Sequence, residues 1–427
     1  MKIKLRVWHL FAALCITLLI IRFTSVIGLI TLLFSYLILL MTDYSNAMGQ
    51  LNLELLDYLI CGILVIILPL IIIFKFRQGK IFRAHLDFAT TVILVLIFVF
   101  IFSPLISSSH PDFQKNIGLT KLLPPTSSIK FLKFEKSIKA KQSRLDRLIE
   151  LKSAVIKKSF DENLIYVDSA RFGEKIIYFQ NQKEYEISSD SLLSNGLIPV
   201  INTRHFVLGT DEFGRDIFAR LIYGARVSIF VGICSVFLSF IIGVILGSAS
   251  GYFGGMMDLT LNRLTDTFLS FPAIFLIIII LALFGSSMFV VIFVLGFSGW
   301  MSLFKIVRGE VISLKQKDFF ISAKMIGLSA KQLLLKEALP VILTPIIVNL
   351  VFQFGSVILA EAALSYLGLG TGINHPSWGS MIDAGQNYLK DAWWMIFFPG
   401  FALIITLYSA NDLGQKIKIH FNPQLSK

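Results

Sequence analysis

The sequence predicts an all-α integral membrane protein, and three observations predict it. Apolar residues make up 55% of the 427 residues and charged residues only 15%, where a soluble globular chain carries nearer a quarter charged. Apolar stretches of about twenty residues, enough to cross about 30 Å of hydrocarbon, recur near 8–41, 54–74, 87–107, 227–251, 268–285, 287–304, 340–363 and 392–410. Basic residues gather between these stretches and not in an aromatic-interleaved patch. The net charge of +12 therefore reads as a positive-inside bias and not as a nucleic-acid surface.

Charge between the stretches orients them. The segment 75–85 carries Lys75, Arg77, Lys80 and Arg83 and no acid, which places it in the cytoplasm. The same holds for 305–339, where Lys305, Arg308, Lys315, Lys317, Lys324, Lys331 and Lys336 outnumber Glu310, Asp318 and Glu337. The tail after 411, with Lys416, Lys418 and Lys427 against Asp412, follows suit, so the C-terminus is expected to be cytoplasmic. The first stretch is too long for one crossing and short for two, with Arg22 in its middle. With MKIKLR inside, alternation favours eight crossings over nine, residues 5–20 lying partly at the interface. That first stretch is too long for a signal peptide and lacks a small-residue cleavage pattern.

Residues 108–206 form the one sizeable polar region, and the alternation puts it outside. Its net charge is about +5, from sixteen Lys/Arg against eleven Asp/Glu; long loops translocate largely regardless of charge. Phe131, Phe134, Ile138, Leu145, Leu148 and Val155 recur at three to four residues, which predicts an amphipathic helix. The runs LIYVDS, KIIYFQ and YEIS after Asp161-Glu162 predict strands. A small α+β domain results, either a docking surface or a packed insertion. Cys15, Cys61 and Cys234 sit in apolar stretches without CxxC or Cys/His spacing, so neither a disulfide framework nor a metal site is indicated.

The segment KDFFISAKMIGLSAKQLLLKEALP is more informative. Asp318 is expected to cap a helix start, and Gly327 suits the position just past its end. Ser329 and Gln332 form an S-x-x-Q capping box that opens a second helix, and Pro340 follows at the next apolar span. Two short amphipathic helices hinged at a glycine result. Phe319, Phe320, Ala323 and Ile326 lie on one side, and Leu333 to Leu335 on the other. More than thirty residues with paired caps is long for a connector, so a partner pushing on this element is the better reading.

The spacing G–x12–P, with Leu339 before Pro340, resembles the cytoplasmic loop signature of ABC importer permeases. Where that family has Glu-Ala-Ala this chain has Ile321, Ser322 and Ala323: the acid is missing while the helix–glycine–helix frame remains. LGTDEFGRDIFARLIYGARVS (Leu208 to Ser228), GYFGGMMD (Gly251 to Asp258), AEAALSYLGLG (Ala360 to Gly370), PSWG (Pro376 to Gly379) and AWW with PG (Ala392 to Gly400) look like the C-type subunit of dipeptide and oligopeptide permeases. The resemblance covers about residues 87–420.

It implies a six-helix ABC importer permease core; residues 1–84 and much of 108–200 lie outside the resemblance, and with the apolar stretches the expected division is the following. Residues 1–84 form an N-terminal extra transmembrane region of about two helices, and 85–107 the first core helix. The extracytoplasmic insertion occupies 108–206, and 207–427 is the permease core with its coupling loop at about 305–339. It implies a second homologous permease as heterodimer partner, two ABC ATPase subunits at the cytoplasmic face and an extracytoplasmic solute-binding protein, all at the inner membrane. The coupling loop would engage one ATPase through Asp318, Phe319, Ala323, Gly327, Leu328, Ser329, Leu333 and Pro340. No catalytic residue, metal or cofactor is called for in this chain, and ATP with Mg²⁺ is used by the partner ATPases; there is no GxxxxGK[ST] loop.

Two membrane features agree with a moving helical bundle. Ser235, Ser239, Gly243, Gly247 and Gly251 recur every four residues, a stripe that lets helix backbones approach closely. Asn349, Gln353 and Ser356 share one face of the 340–363 span, with Glu361 near its outer end. Such side chains are interhelical partners or line a wet path; the path reading is slightly preferred, since amides match a peptide backbone. Asp211, Arg215 and Asp216 before the second core helix, and Arg263 and Asp266 flanking the third, read as structural groups shaping the gate. Alternatives from the same residues are uptake of nickel or another small chelated solute, a stand-alone channel or carrier, and a membrane enzyme. The last is disfavoured because 108–206 offers only His110 and His205 and no nucleophile–base pattern.

Overall fold

A computed structural model describes residues 7–23, 87–107, 109–136, 164–172, 175–188, 197–370 and 376–421, with isolated positions between 27 and 41. The expected crossing near 54–74 and the greater part of the expected amphipathic helix, 137–155, lie outside the described residues. The chain divides into two units, Met1–Leu94 with Phe102–Ala219, and Val95–Ile101 with Arg220–Lys427.

The first unit holds helix α1 (Val7–Ile21), much of α2 (Phe88–Ile106), the short α3 (Ile117–Thr120) and six strands. The Asp87 side chain caps α2 by accepting from the Thr90 N–H at 3.1 Å. Arg22 follows the end of α1, its Nη2 donating to the Ile106 carbonyl at 3.4 Å. The strands are β1 (Ser127–Lys136), β2 (Leu164–Val167), β3 (Ser169–Phe172), β4 (Lys175–Gln180), β5 (Lys183–Ser188) and β6 (Leu197–Phe206). They make two antiparallel sheets, ordered β2-β1-β6 and β3-β4-β5.

The strands expected at LIYV, KIIYFQ and YEIS are present. Phe131 and Phe134, however, sit on β1 and not on a helix. Period-two alternation decides between the readings. Ile129 and Phe131 pack with Phe113, Tyr166 and Phe206, while Leu132, fully buried, turns to the opposite face with Val167 and Ile176. The full-length β1–β6 ladder, from Ser127–Phe206 to Lys136–Leu197, satisfies the backbone groups that a helix would have satisfied locally.

The second unit is helical. Helix α4 (Ile217–Phe253) enters it from the end of the first unit. It continues with α5 (Gly255–Ser270), α6 (Ala273–Phe284), α7 (Met288–Leu314), α8 (Asp318–Met325) and α9 (Ala330–Gln332). A π-helical turn (Leu333–Ala338) leads into α10 (Leu339–Tyr366), and α11 (Trp378–Gln386) and α12 (Trp394–Phe421) complete the unit. Among the described residues, α4, α7, the continuous helix Ala330–Tyr366 and α12 are long and apolar enough to cross a membrane. The pair α5 and α6, bent by 85°, makes a fifth if it is one broken span, and α2 is a shorter apolar helix. The 37 residues of α4 run to about 55 Å, well beyond the hydrocarbon thickness.

The small-residue stripe of α4 is where that helix meets α7. The Ser235 hydroxyl donates to the Ile292 carbonyl at 3.1 Å and that of Ser239 to the Gly296 carbonyl at 2.5 Å. A Cβ on Gly243 would press on Leu303, one on Gly247 on the Phe304 carbonyl and Val307, and one on Gly251 on the Arg308 carbonyl and Val311. Leu303, Val307, Val311 and Leu314 continue that seam into a core with Phe320, Leu333, Ile342 and Ile346.

Candidate functional site

The hinged segment forms, with two departures from expectation. Lys317, in extended conformation and without a side-chain bond, precedes α8. Asp318 is thus the first helical residue and caps nothing; it sits in the first turn, where a carboxylate complements the helix dipole. At the other end Gly327 has φ +91° with open space where a Cβ would be. Its N–H donates to the Lys324 carbonyl at 3.1 Å and that of Leu328 to the Ala323 carbonyl at 3.4 Å. This is a Schellman ending.

Ser329 then accepts from the Gln332 N–H, while its own N–H donates to Gln332 Oε1 at 2.9 Å. The second departure follows this capping box. The second helix does not stand alone: three residues of α9 pass through the π turn, where the Leu339 N–H reaches the Leu334 carbonyl, directly into α10. The widened turn lies where Pro340, lacking an N–H, cannot serve the regular ladder.

The faces also sort differently from the expected grouping. Phe320, Ala323 and Leu333 are buried in the seam core and Leu328 packs against it. Phe319 (44% exposed), Met325 (84%) and Ile326 (82%) point away from it, together with Ile321. The exposed side of α8 carries these apolar residues beside exposed Asp318, Ser322 and Lys324, and its buried side packs against the bundle.

The polar residues of α10 are not all brought together. Gln353 Nε2 donates to Ser239 Oγ on α4 at 2.7 Å. Asn349 and Gln353 are half-buried, and Asn349 Oδ1 and Gln353 Oε1 are buried acceptors without a protein donor. Ser356 is exposed, its hydroxyl bonded back to the Phe352 carbonyl. Glu361 is fully buried. Its carboxylate accepts from Ser228 Oγ on α4 at 3.0 Å and from Ser365 Oγ at 2.7 Å. The hydroxyls of Ser365 and Ser377 are 3.3 Å apart, and the Trp378 N–H donates to Ser228 Oγ at 3.4 Å. Glu361 therefore belongs to a hub joining α4, α10 and the start of α11, a grouping that linear spacing could not reveal.

Of the charged gate candidates, Asp211 folds a turn around itself. Its Oδ1 accepts from the N–H groups of Phe213 and Arg215 at 2.9 and 2.8 Å, and its Oδ2 meets Arg215 Nε at 2.7 Å. The Arg215 guanidinium lies over the Phe213 ring. Asp216 accepts from the Phe218 N–H at 3.0 Å and from Ser109 Oγ at 3.4 Å, with Arg204 Nη2 3.8 Å away. Burial pushes its carboxyl above the ordinary carboxylate value despite Arg204. Arg263 and Asp266 precede the apolar α6 in sequence. Both lie within α5, Arg263 exposed and Asp266 paired with Lys305 at 2.8 Å.

Comparison with known proteins turns this geometry into an assignment. Residues 239–417 match the family described as "Binding-protein-dependent transport system inner membrane component". The dipeptide transport system permease protein DppC of Bacillus subtilis is 36% identical over 220 residues, 51% of this chain and 69% of that protein. The oligopeptide transport system permease protein OppC of Haemophilus influenzae is 36% identical over 226 residues, 53% of this chain and 72% of that protein. The chain belongs to this permease family.

As a member, it is a non-catalytic, multi-pass inner-membrane component of a binding-protein-dependent transport system, which implies an ATPase and a binding protein as partners. OppC of Bacillus subtilis is 34% identical over 243 residues, 57% of this chain and 79% of that protein. Among solved structures, the MetNI methionine ABC transporter in inward-facing conformations aligns with TM-score 0.39 and 17% identity over 46% of this chain and 94% of that one.

Proposed function

We propose that this chain is the C-type permease half of an ATP-driven importer of di- and oligopeptides. It pairs with a second homologous permease, two ABC ATPases and an external solute-binding protein. The names of the relatives, dipeptide and oligopeptide permeases from several bacteria, support the solute class. The observation that carries the coupling role is the geometry of α8. A short helix ended by Gly327 in a Schellman turn exposes Phe319, Met325 and Ile326 while Phe320 and Ala323 anchor it in the bundle. Such a helix can be pushed from outside and must pass the push inward.

In this reading α8 with Leu328, Ser329, Leu333 and Pro340 is the coupling element, facing the cytoplasm, as does the C-terminus. Ile321 stands where the family pattern has an acid, so docking here rests on apolar surface. ATP and Mg²⁺ are bound by the ATPases and no cofactor by this chain. Asn349, Gln353 and Ser356 contribute to the path, whereas Glu361 acts by holding α11. Asp211, Arg215 and Asp216 shape the entry to α4, and Arg263 and Asp266 the α5 arm. Residues 1–84 add membrane helices outside the core, 85–107 is the first core helix, 108–206 is the external insertion, and 207–427 completes the core.

The test is reconstitution of this chain with its ATPases, second permease and binding protein in proteoliposomes. Uptake of labelled tri-alanine should require ATP and vanish when residues 319–335 are deleted. Uptake by the purified chain alone, without nucleotide, overturns the reading, and uptake of Ni²⁺ in preference to the peptide overturns the solute class.

A further inference from the structure

The motif GYFGGMMD is left unused by the coupling role of α8, and the structure gives it a precise setting. Gly254 and Gly255 both take left-handed backbone, φ +68° and +57°, so the elbow between α4 and α5 needs two glycines in succession. Beyond it, Asp258 in the first turn of α5 meets Arg308 of α7 in a two-pronged pair. Arg308 Nε reaches Oδ1 at 2.5 Å and Nη2 reaches Oδ2 at 2.7 Å. Ser250 Oγ on α4 donates to the same Oδ1 at 2.5 Å. Before the elbow, Lys315 Nζ donates to the Tyr252 carbonyl at 2.7 Å and lies over its ring.

The elbow is therefore fastened to α7 on both sides of its glycines. It also touches α8: the Tyr252 ring meets Phe320 edge-on, with centroids 6.4 Å apart.

We propose that the Asp258–Arg308 pair is the positioning latch through which displacement of α8 is passed to α4 and α5 together. The inference rests on the coupling role proposed for α8. A push on α8 reaches the elbow directly through Phe320 and Tyr252, and indirectly through α7, which leads into α8 within three residues. Consecutive glycines make a pliant joint. On their own they would let α4 move without α5. A charge-assisted bidentate bond has the geometric stiffness to lock the joint, since both oxygens and both nitrogens are fixed in one plane. The small stripe at Gly247 and Gly251 brings α4 close enough to α7 for Ser250 to join the same carboxylate. Asp258 and Arg308 are thus positioning residues. They touch no solute and no nucleotide, and their effect is read in coupling.

The experiment uses the whole importer in proteoliposomes, measuring ATP hydrolysed and labelled tri-alanine taken up. Asp258→Asn keeps the shape and the Ser250 contact but removes the charge. Its ATPases should co-purify as with the wild type and hydrolyse ATP within about two-fold of it, while solute moved per ATP falls about ten-fold. Arg308→Lys, which keeps charge but loses the fork, should fall in the same direction, and it carries the test should Asp258→Asn fail to accumulate. The reciprocal double variant, Asp258→Arg with Arg308→Asp, should recover part of the ratio, which a purely local loss of stability would not produce. An unchanged ratio of solute to ATP in both single variants overturns the latch while leaving the coupling role of α8 intact. Failure of the wild-type chain to bind the ATPases overturns both.

Discussion

Gln353 on α10 donates through Nε2 to the hydroxyl of Ser239 on α4 at 2.7 Å, and that hydroxyl donates onward to the Gly296 carbonyl of α7 at 2.5 Å. A three-helix junction is thereby tied by one side chain. The approach is close because Gly299 lacks a side chain; a Cβ there would run into Gln353 Nε2 and Ser239 Oγ. Interhelical hydrogen bonds in membranes are worth about 0.6 kcal/mol on average and up to about 1.7 kcal/mol.

Ser239→Ala should therefore lower stability by about 1 kcal/mol, read as thermal unfolding of the complex in mild detergent. Gln353→Leu should cost a similar amount, and the double variant less than the sum, because the two residues share one bond. Strict additivity would show that the contact contributes nothing.

Gly327 is required for its backbone and not for space. With φ +91° and no atom near a Cβ position, Gly327→Ala meets only the left-handed penalty of about 1 kcal/mol, and Gly327→Asn should cost less because asparagine tolerates that conformation. Co-purification with the ATPases should fall in the order Gly, Asn, Ala. Equal yields across the series would mean that the Schellman turn does not set the angle at which α8 is presented.

Much of this was readable from residue order alone. Gly327, Ser329 and Gln332 announce their caps because capping is local chemistry. The stripe from Ser235 to Gly251 announces a close helix contact because its four-residue period is helical. What was not readable depended on partners distant in sequence. Phe131 and Phe134 fit a helical spacing as well as a strand, and the partner that decides, β6, lies some seventy residues away. Glu361 looked like an end-of-span polar residue until Ser228, more than a hundred residues earlier, was brought to it. Arg263 and Asp266 precede an apolar stretch in the sequence, but that they sit on a helix of their own, set off by an 85° break before Ala273, leaves no mark in hydropathy.

The α4–α7 seam should be intolerant of added volume. In Gly247→Val the new atoms meet the Phe304 carbonyl and Val307 at distances that force the helices apart, a cost of about 1–3 kcal/mol for overpacking. Gly309, on α7 but facing open space, supplies the control: Gly309→Ala should leave stability unchanged or slightly higher through helix propensity. Melting temperatures of the two variants in the same detergent decide the matter, and similar losses in both would argue that helix flexibility, not close approach, explains the glycines.

Asp216 gives a pH dependence whose sign is fixed by its environment. Its folded carboxyl titrates above the ordinary value of 3.8, because burial outweighs Arg204 and the backbone N–H groups of Phe218 and Ala219. Between that value and the higher folded one, the folded state holds a proton that the unfolded state has released. Stability must then fall as pH rises through the window, and the full cost persists above it. Asp216→Asn removes the titration while keeping an acceptor for the Phe218 N–H. The melting temperature of the variant relative to wild type should therefore climb as pH is raised from the ordinary carboxylate value through the window above it. A difference that stays flat across that range, or shrinks, would show that the Arg204 pair and not desolvation governs this carboxyl.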